Sequence, residues 1–252
     1  KNVLGIVRGS DSRLGGQLVI VQANYDSVSL VPELSPGSEQ AGGLAGLIEL
    51  AREFVISPPK RTVVFLATAG HGEAMAGIRA FVDNQLFVEE HGTVGTGRSD
   101  YLYRPIKDIF LFALDLTGAS QRVGLSHIGY FYNIQPTRTD IDKTFADIGK
   151  LFNEIAHTIE GEFENLVVSG AHQLPVPLGF SSEVFTLAGG TGLAFTTLDD
   201  PRLLIDTPFD NMENFGEEKT KNLLIQIQVI KEILHEFLQL PPDRFPSAVN
   251  MG

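Results

Sequence analysis

The sequence predicts an α/β fold, a three-layer sandwich around a central mixed, largely parallel sheet. Two observations carry this. Apolar runs of strand length alternate along the chain with amphipathic helical stretches. Several of those runs are apolar at consecutive positions rather than at alternate ones, the pattern of central strands covered by helices on both faces.

Strands are predicted at VLGIVRG (3–9), QLVIVQA (17–23), RTVVFLA (61–67), DIFLFALDL (108–116) and GLAFTTL (192–198). Helices are predicted at 41–55, 74–85, 139–160 and 214–239. In the last of these, Leu223, Ile227, Ile230, Leu234 and Phe237 recur every three or four residues, a stripe that docks on a sheet. Thr139 before Asp140 and Asp142 suits a helix start. Ser181 and Ser182 are expected to cap a further helix, SSEVFTL. Long surface loops are expected over 86–106 and 162–180, the second rich in glycine and proline. With no internal repeat, residues 1–252 read as a single domain. A start on KNVLGIVRG and an end on PSAVNMG give the expectation that it is cut from a longer protein.

Composition narrows the function classes. A formal net charge of −12 opposes binding to phosphate backbones and anionic lipid, so nucleic acid is not an expected partner. The absence of cysteine removes thiolate metal sites, disulfides and cysteine nucleophiles. No run of eighteen apolar residues exists, so membrane attachment is expected only through segments outside this chain. With no tryptophan, a stacked carbohydrate platform is disfavoured.

Two apparent motifs fail on context. GTVGTGRS (92–99) approximates a phosphate-binding loop, but it lacks the strand before it and the helix after it that would aim amides at phosphate. No G-x-S-x-G surrounds Ser181 and Ser182, which argues against a serine hydrolase.

Open α/β sheets bind ligands beyond the carboxyl ends of their strands. The residues there are NYDS (24–27), HGE (71–73) and LDLTG (114–118); PGSEQAGG (36–43) leads into the first helix and IDTPFDNMEN (205–214) into the last. In this order and spacing the five stretches resemble family twenty-eight of the metallopeptidases, over about residues 17–238. That family includes bacterial leucyl aminopeptidases, glutamate carboxypeptidase II, the transferrin receptor ectodomain and nicastrin. The resemblance implies a zinc-aminopeptidase-like fold, in which active members hold two zinc ions bridged by an aspartate and a water, with a glutamate as general base.

Carried over position by position, the resemblance places Asn24 where the family has a zinc-binding histidine, followed by Asp26, which in the family orients it. Glu39 falls at the bridging aspartate. Counting back six and five residues from Gly77 gives His71 at the base position and Gly72 at an adjacent zinc ligand; Glu73 would serve only if the turn shifted by one residue. Asp115 keeps a ligand unchanged. Asp206 replaces the last histidine, while Thr207 and Asp210 fit the surrounding H-T-x-x-D pattern. An amide is a poor zinc donor beside imidazole, and glycine offers no side chain at all.

The expectation is therefore a degenerate member, a non-catalytic binding or scaffold module holding a peptide or protein partner, in an extracytoplasmic or lumenal part of a larger membrane-associated protein. The alternative is a divergent metal-dependent exopeptidase using Glu39, Asp115 and Asp206 as ligands and His71 as base. No cofactor is expected and zinc is disfavoured; Ca²⁺ or Mg²⁺ at a carboxylate site is the alternative. The expected cleft comprises Asn24, Glu39, His71, Glu73, Asp115, Ser181, Ser182 and Asp206. Three converging carboxylates repel, so an occupant or raised pKa values are expected; the alternative is a degenerate site filled by water, Arg or Lys contacts and hydrogen bonds.

Overall fold

Among the described residues, seven strands form one sheet: β1 (Val3–Val7), β2 (Leu18–Asn24), β3 (Thr62–Thr68), β4 (Phe110–Asp115), β5 (Val123–Ser126), β6 (Val167–Ser169) and β7 (Thr191–Thr197), in the order β1-β3-β2-β4-β7-β5-β6. The computed structural model describes residues 1–86, 109–130, 139–159, 167–169 and 178–246. The four central strands β3, β2, β4 and β7 run parallel, β1 pairs antiparallel with β3, and β5 pairs antiparallel with β7. This is the mixed, largely parallel sheet that the apolar runs predict. Each of those five runs is a strand, its ends shifted or trimmed by one or two residues.

Alternation along the central strands feeds two cores. Val19, Val21, Val63, Phe65, Phe110 and Phe112 point to one face, and Ile20, Val64, Leu66 and Leu111 to the other. The first face is covered by α1 (Gly42–Ile56), α3 (Thr139–Thr158) and α5 (Met212–Gln239). The second is covered by α2 (Ala76–Phe81) and α4 (Ser181–Leu187). On α5 the whole predicted stripe is buried, with Ile230, Leu234 and Phe237 wholly inaccessible.

Three expectations change on the structure. The predicted helix 74–85 begins only at Ala76, because Ala74 and Met75 hold φ of +53° and +57°; it then continues into a π-helical turn, Val82–Leu86. The serines do not cap α4. Phe180 is the capping position, and the Glu183 carboxylate accepts its N–H at 2.8 Å, while Ser181 and Ser182 are buried in the first turn without a hydroxyl partner. Strand β6 lies inside the stretch read as a loop, and the rest of that stretch apart from 178–180 lies outside the described residues, as do GTVGTGRS and most of the 86–106 loop.

Position matters most at the carboxyl ends of β2, β3, β4 and β7. There α1 presses directly onto the sheet. A Cβ on Gly42 would stand 2.2 Å from the Leu116 carbonyl oxygen, and one on Gly43 2.3 Å from that of Leu114. Only glycine admits that approach, and it brings Glu39, just ahead of the helix, beside the end of β4.

Candidate active-site cleft

A cleft of about 390 Å³ opens at these strand ends, and Asn24, Asp26, Glu39, His71, Asp115, Arg202 and Asp206 are among its lining residues. It thus gathers side chains from all five stretches of the resemblance. Glu73, Ser181 and Ser182 do not line it. Glu73 is exposed on the turn after β3, and the two serines are buried in the first turn of α4. Gly72 is exposed, and a Cβ on it would sit 2.3 Å from a methyl of Val28. The space of a side chain at 72 is taken by Val28.

The Asn24 amide is engaged on both ends. Its Oδ1 accepts from Gln22 Nε2 (3.1 Å) and from the Thr68 hydroxyl (3.0 Å), and its Nδ2 donates to Nδ1 of His71 at 2.8 Å. Asp26 does not contact Asn24 in the manner of a residue orienting a ligand. Its Oδ2 instead accepts the backbone N–H of Gly70 (2.6 Å) and of His71 (3.2 Å), which fixes the turn that carries the histidine.

Glu39 is buried and fully engaged. Lys219 of α5 pairs with Oε1, and the Gly118 N–H donates to Oε2 at 3.1 Å. The wholly buried Asp210 accepts the Glu39 backbone N–H at 2.7 Å and so holds the loop in place. Asp115, at the end of β4, accepts from Arg202 at 2.6 Å and from the Thr196 hydroxyl at 2.9 Å. Arg202 also lies 3.1 Å from Asp200, its side chain 6% exposed. Asp206 is exposed, with a backbone φ of +66°.

Backbone strain gathers around this cleft. Ala74 and Met75 follow the histidine turn, and Asp199, Arg202 and Asp206 all lie on the β7–α5 connection; all five are non-glycine residues at positive φ. Such conformations cost energy and persist where surrounding contacts dictate them. The Arg202 N–H bond to Asp200 Oδ1, 2.8 Å, is one such contact.

Sequence reasoning did not name Lys219 or Arg202. Neither belongs to a stretch of the resemblance, and both read as ordinary surface cations beside acidic neighbours. The only signal was indirect: several carboxylates in one cleft repel, and Arg or Lys contacts are one of the ways to relieve them. Among the described residues no histidine other than His71 lines the cleft. His91 and His172 fall outside the described residues; His127 stacks on Phe145 with ring centroids 4.3 Å apart; His157 and His235 sit on α3 and α5.

Comparison with solved structures places the architecture. The zinc aminopeptidase BSAP from Bacillus subtilis superimposes with a TM-score of 0.62 at 17% identity, covering 99% of this chain and 52% of that one. An aminopeptidase from Aneurinibacillus sp. strain AM-1 gives 0.60 at 14% identity, over 100% of this chain and 50% of its own. The γ-secretase component nicastrin gives 0.60 at 13%, over 99% and 43%. At these identities the likeness concerns fold, and the chain spans about half the length of these structures. No curated protein sequence matches. Residues 2–224, however, match the profile of Peptidase family M28. Sequence profile and architecture agree, and the chain belongs to Peptidase family M28.

Proposed function

We propose that this chain is a non-catalytic aminopeptidase-like module whose cleft binds a peptide or protein partner. The observation that carries the reading is the donor set at the five positions aligned with zinc ligands. Asn24 is an amide already bonded to His71, Gly72 has no side chain, Glu39 and Asp115 are paired with side-chain cations, and Asp206 lines the cleft exposed and unpaired among the described residues. These residues do not fit a zinc pair, which needs several free imidazole and carboxylate donors within reach of both ions. Asp26 and Asp206 leave the open part of the cleft acidic, so the amino terminus of a peptide is the class of group that suits it.

The nicastrin likeness supports placement in the extracytoplasmic part of a larger protein. No helix among the described residues is long and apolar enough to cross a membrane.

A divergent metallohydrolase is the competing reading, favoured by Asp206, a cleft carboxylate without a hydrogen-bond partner among the described residues. It requires Glu39 and Asp115 to leave their cations. Elemental analysis of the purified protein, joined to assays on aminoacyl-nitroanilides and dipeptides with Zn²⁺, Mn²⁺, Co²⁺ and Ca²⁺ in turn, separates the two. Under the present reading no metal is retained in stoichiometric amount and no turnover appears. Turnover abolished by Asp115→Ala would establish the competitor.

A further inference from the structure

We propose that Lys219 and Arg202 are resident cations that stand where the resemblance puts two metal ions, so that the cleft carries its own counter-charge. This deepens the reading of a non-catalytic cleft and rests on it. The two carboxylates aligned with the bridging ligand and with the retained ligand, Glu39 and Asp115, are the two that hold the cations. Each pair is shielded on one side: the Glu39 carboxylate is 6% exposed, and so is the Arg202 side chain.

The Lys219 arm is built into the fold. Its Cβ would stand 2.4 Å from any Cβ on Gly118, so the lysine approaches only because that residue is glycine. Gly118 supplies the second donor to Glu39 through its N–H, and its carbonyl accepts from Asn222, three residues along α5, at 2.9 Å. The start of α5 is thereby pinned to the LDLTG stretch. The helix is broken at Gly216 (φ +62°, ψ −175°), so the continuous segment begins just before Lys219 and can aim it at Glu39.

The Arg202 arm is equally specified. One terminal nitrogen donates to the Asp115 carboxylate at 2.6 Å, to the Asp115 carbonyl oxygen at 3.3 Å and to Thr196 at 3.1 Å, while the other lies 3.1 Å from Asp200. Asp200 is fixed in turn by the Thr117 hydroxyl at 2.6 Å. A planar guanidinium can bridge two carboxylates in this way, where an ammonium would serve one.

Electrostatics decides the consequence. A carboxylate as buried as Glu39 is costly without a partner, and removing one member of such a pair leaves the other charge stranded. A divalent ion is the substitute that oxygen donors accept most readily. Loss of the side-chain cations should therefore uncover a latent metal site.

The test is thermal and urea unfolding of wild type, Lys219→Met, Arg202→Met and the double variant, each with chelator and with Ca²⁺, Mn²⁺ or Zn²⁺, followed by metal content after desalting. Wild type should show no response to chelator or metal. Lys219→Met should shift the unfolding equilibrium roughly a hundredfold toward the unfolded state. Added divalent ion should recover part of the loss in the double variant, which should then retain that ion. Lys219→Met combined with Glu39→Gln, a neutral pair, should regain most of the stability without metal and gain nothing from it. Undiminished stability in the single variants, or a loss that no divalent ion relieves, overturns the proposal. Zinc or turnover in wild type would instead overturn the non-catalytic reading, so the two failures are distinct.

Discussion

Asn24 donates to Nδ1 of His71 at 2.8 Å, while its own carbonyl oxygen is held by Gln22 and Thr68. An amide at the end of β2 thus binds the imidazole on the turn after β3. Because Nδ1 accepts, the neutral ring carries its hydrogen on Nε2. Such a histidine offers the cleft a donor at Nε2.

That arrangement is visible by long-range ¹H–¹⁵N correlation of the imidazoles, with His71→Gln identifying the signal. The expected tautomer in wild type is Nε2–H. Asn24→Asp replaces the donor by an acceptor and should move a proton onto Nδ1. A wild-type ring already protonated at Nδ1 would contradict the assignment.

Rebuilding the zinc positions should meet a steric and an electrostatic block. In the variant Asn24→His, His71→Glu, Gly72→Glu, Asp206→His, a side chain at 72 collides with Val28 at 2.3 Å, and Lys219 and Arg202 still occupy Glu39 and Asp115. We expect partial metal uptake at most, with little turnover. Adding Val28→Ala, Lys219→Met and Arg202→Met should raise zinc content measurably by elemental analysis.

Arg61 is wholly buried, away from the cleft. It donates to Gln17 at 2.6 Å and to the Leu238 and Leu240 carbonyls at 2.9 and 2.7 Å, and it lies 3.8 Å over the Phe245 ring. Burial pushes its guanidinium down to about 10, which still leaves it charged at neutral pH. Lysine has neither the fork nor the planar face. Arg61→Lys should cost about 2 kcal/mol by urea titration, the scale of charge-assisted hydrogen bonds to those carbonyls.

At acid pH a separate effect is expected from Asp11. Its carboxylate accepts the N–H groups of Arg13 (2.8 Å) and Leu14 (2.9 Å), and the Leu14 bond, then the Arg13 bond, lower its pKa from 3.8. A depressed folded-state pKa gives stability that is complete above the unfolded value and lost as pH falls through the folded one. Wild type should therefore exceed Asp11→Ala by a constant margin at neutral pH. The margin should narrow only below the ordinary aspartate range, as followed by urea unfolding across a pH series.

Much of the fold was legible because burial leaves a period in the chain. Long apolar runs marked β2, β3, β4 and β7, and the three-and-four spacing from Leu223 to Phe237 marked the buried face of α5. Short elements left no such trace. Strand β5 has four residues and β6 three, too few for a period to register, and the Ala74–Met75 turn trimmed a helix that composition alone extends. The convergence of Asn24, Glu39, His71, Asp115 and Asp206 followed from motif order. Glu73, Ser181 and Ser182 went astray because the orientation of a turn or a helix start depends on what packs over it.

By itself the sequence determined the α/β sandwich and the strand ends where the cleft lies. Those are properties of local pattern and of side-chain chemistry. Only the tertiary structure decided what neutralises the remaining carboxylates. Lys219 meets Glu39 across 180 positions and Arg202 meets Asp115 across 87. Partners that far apart are chosen by the way helices and loops pack on the sheet, and no spacing along the chain records the choice.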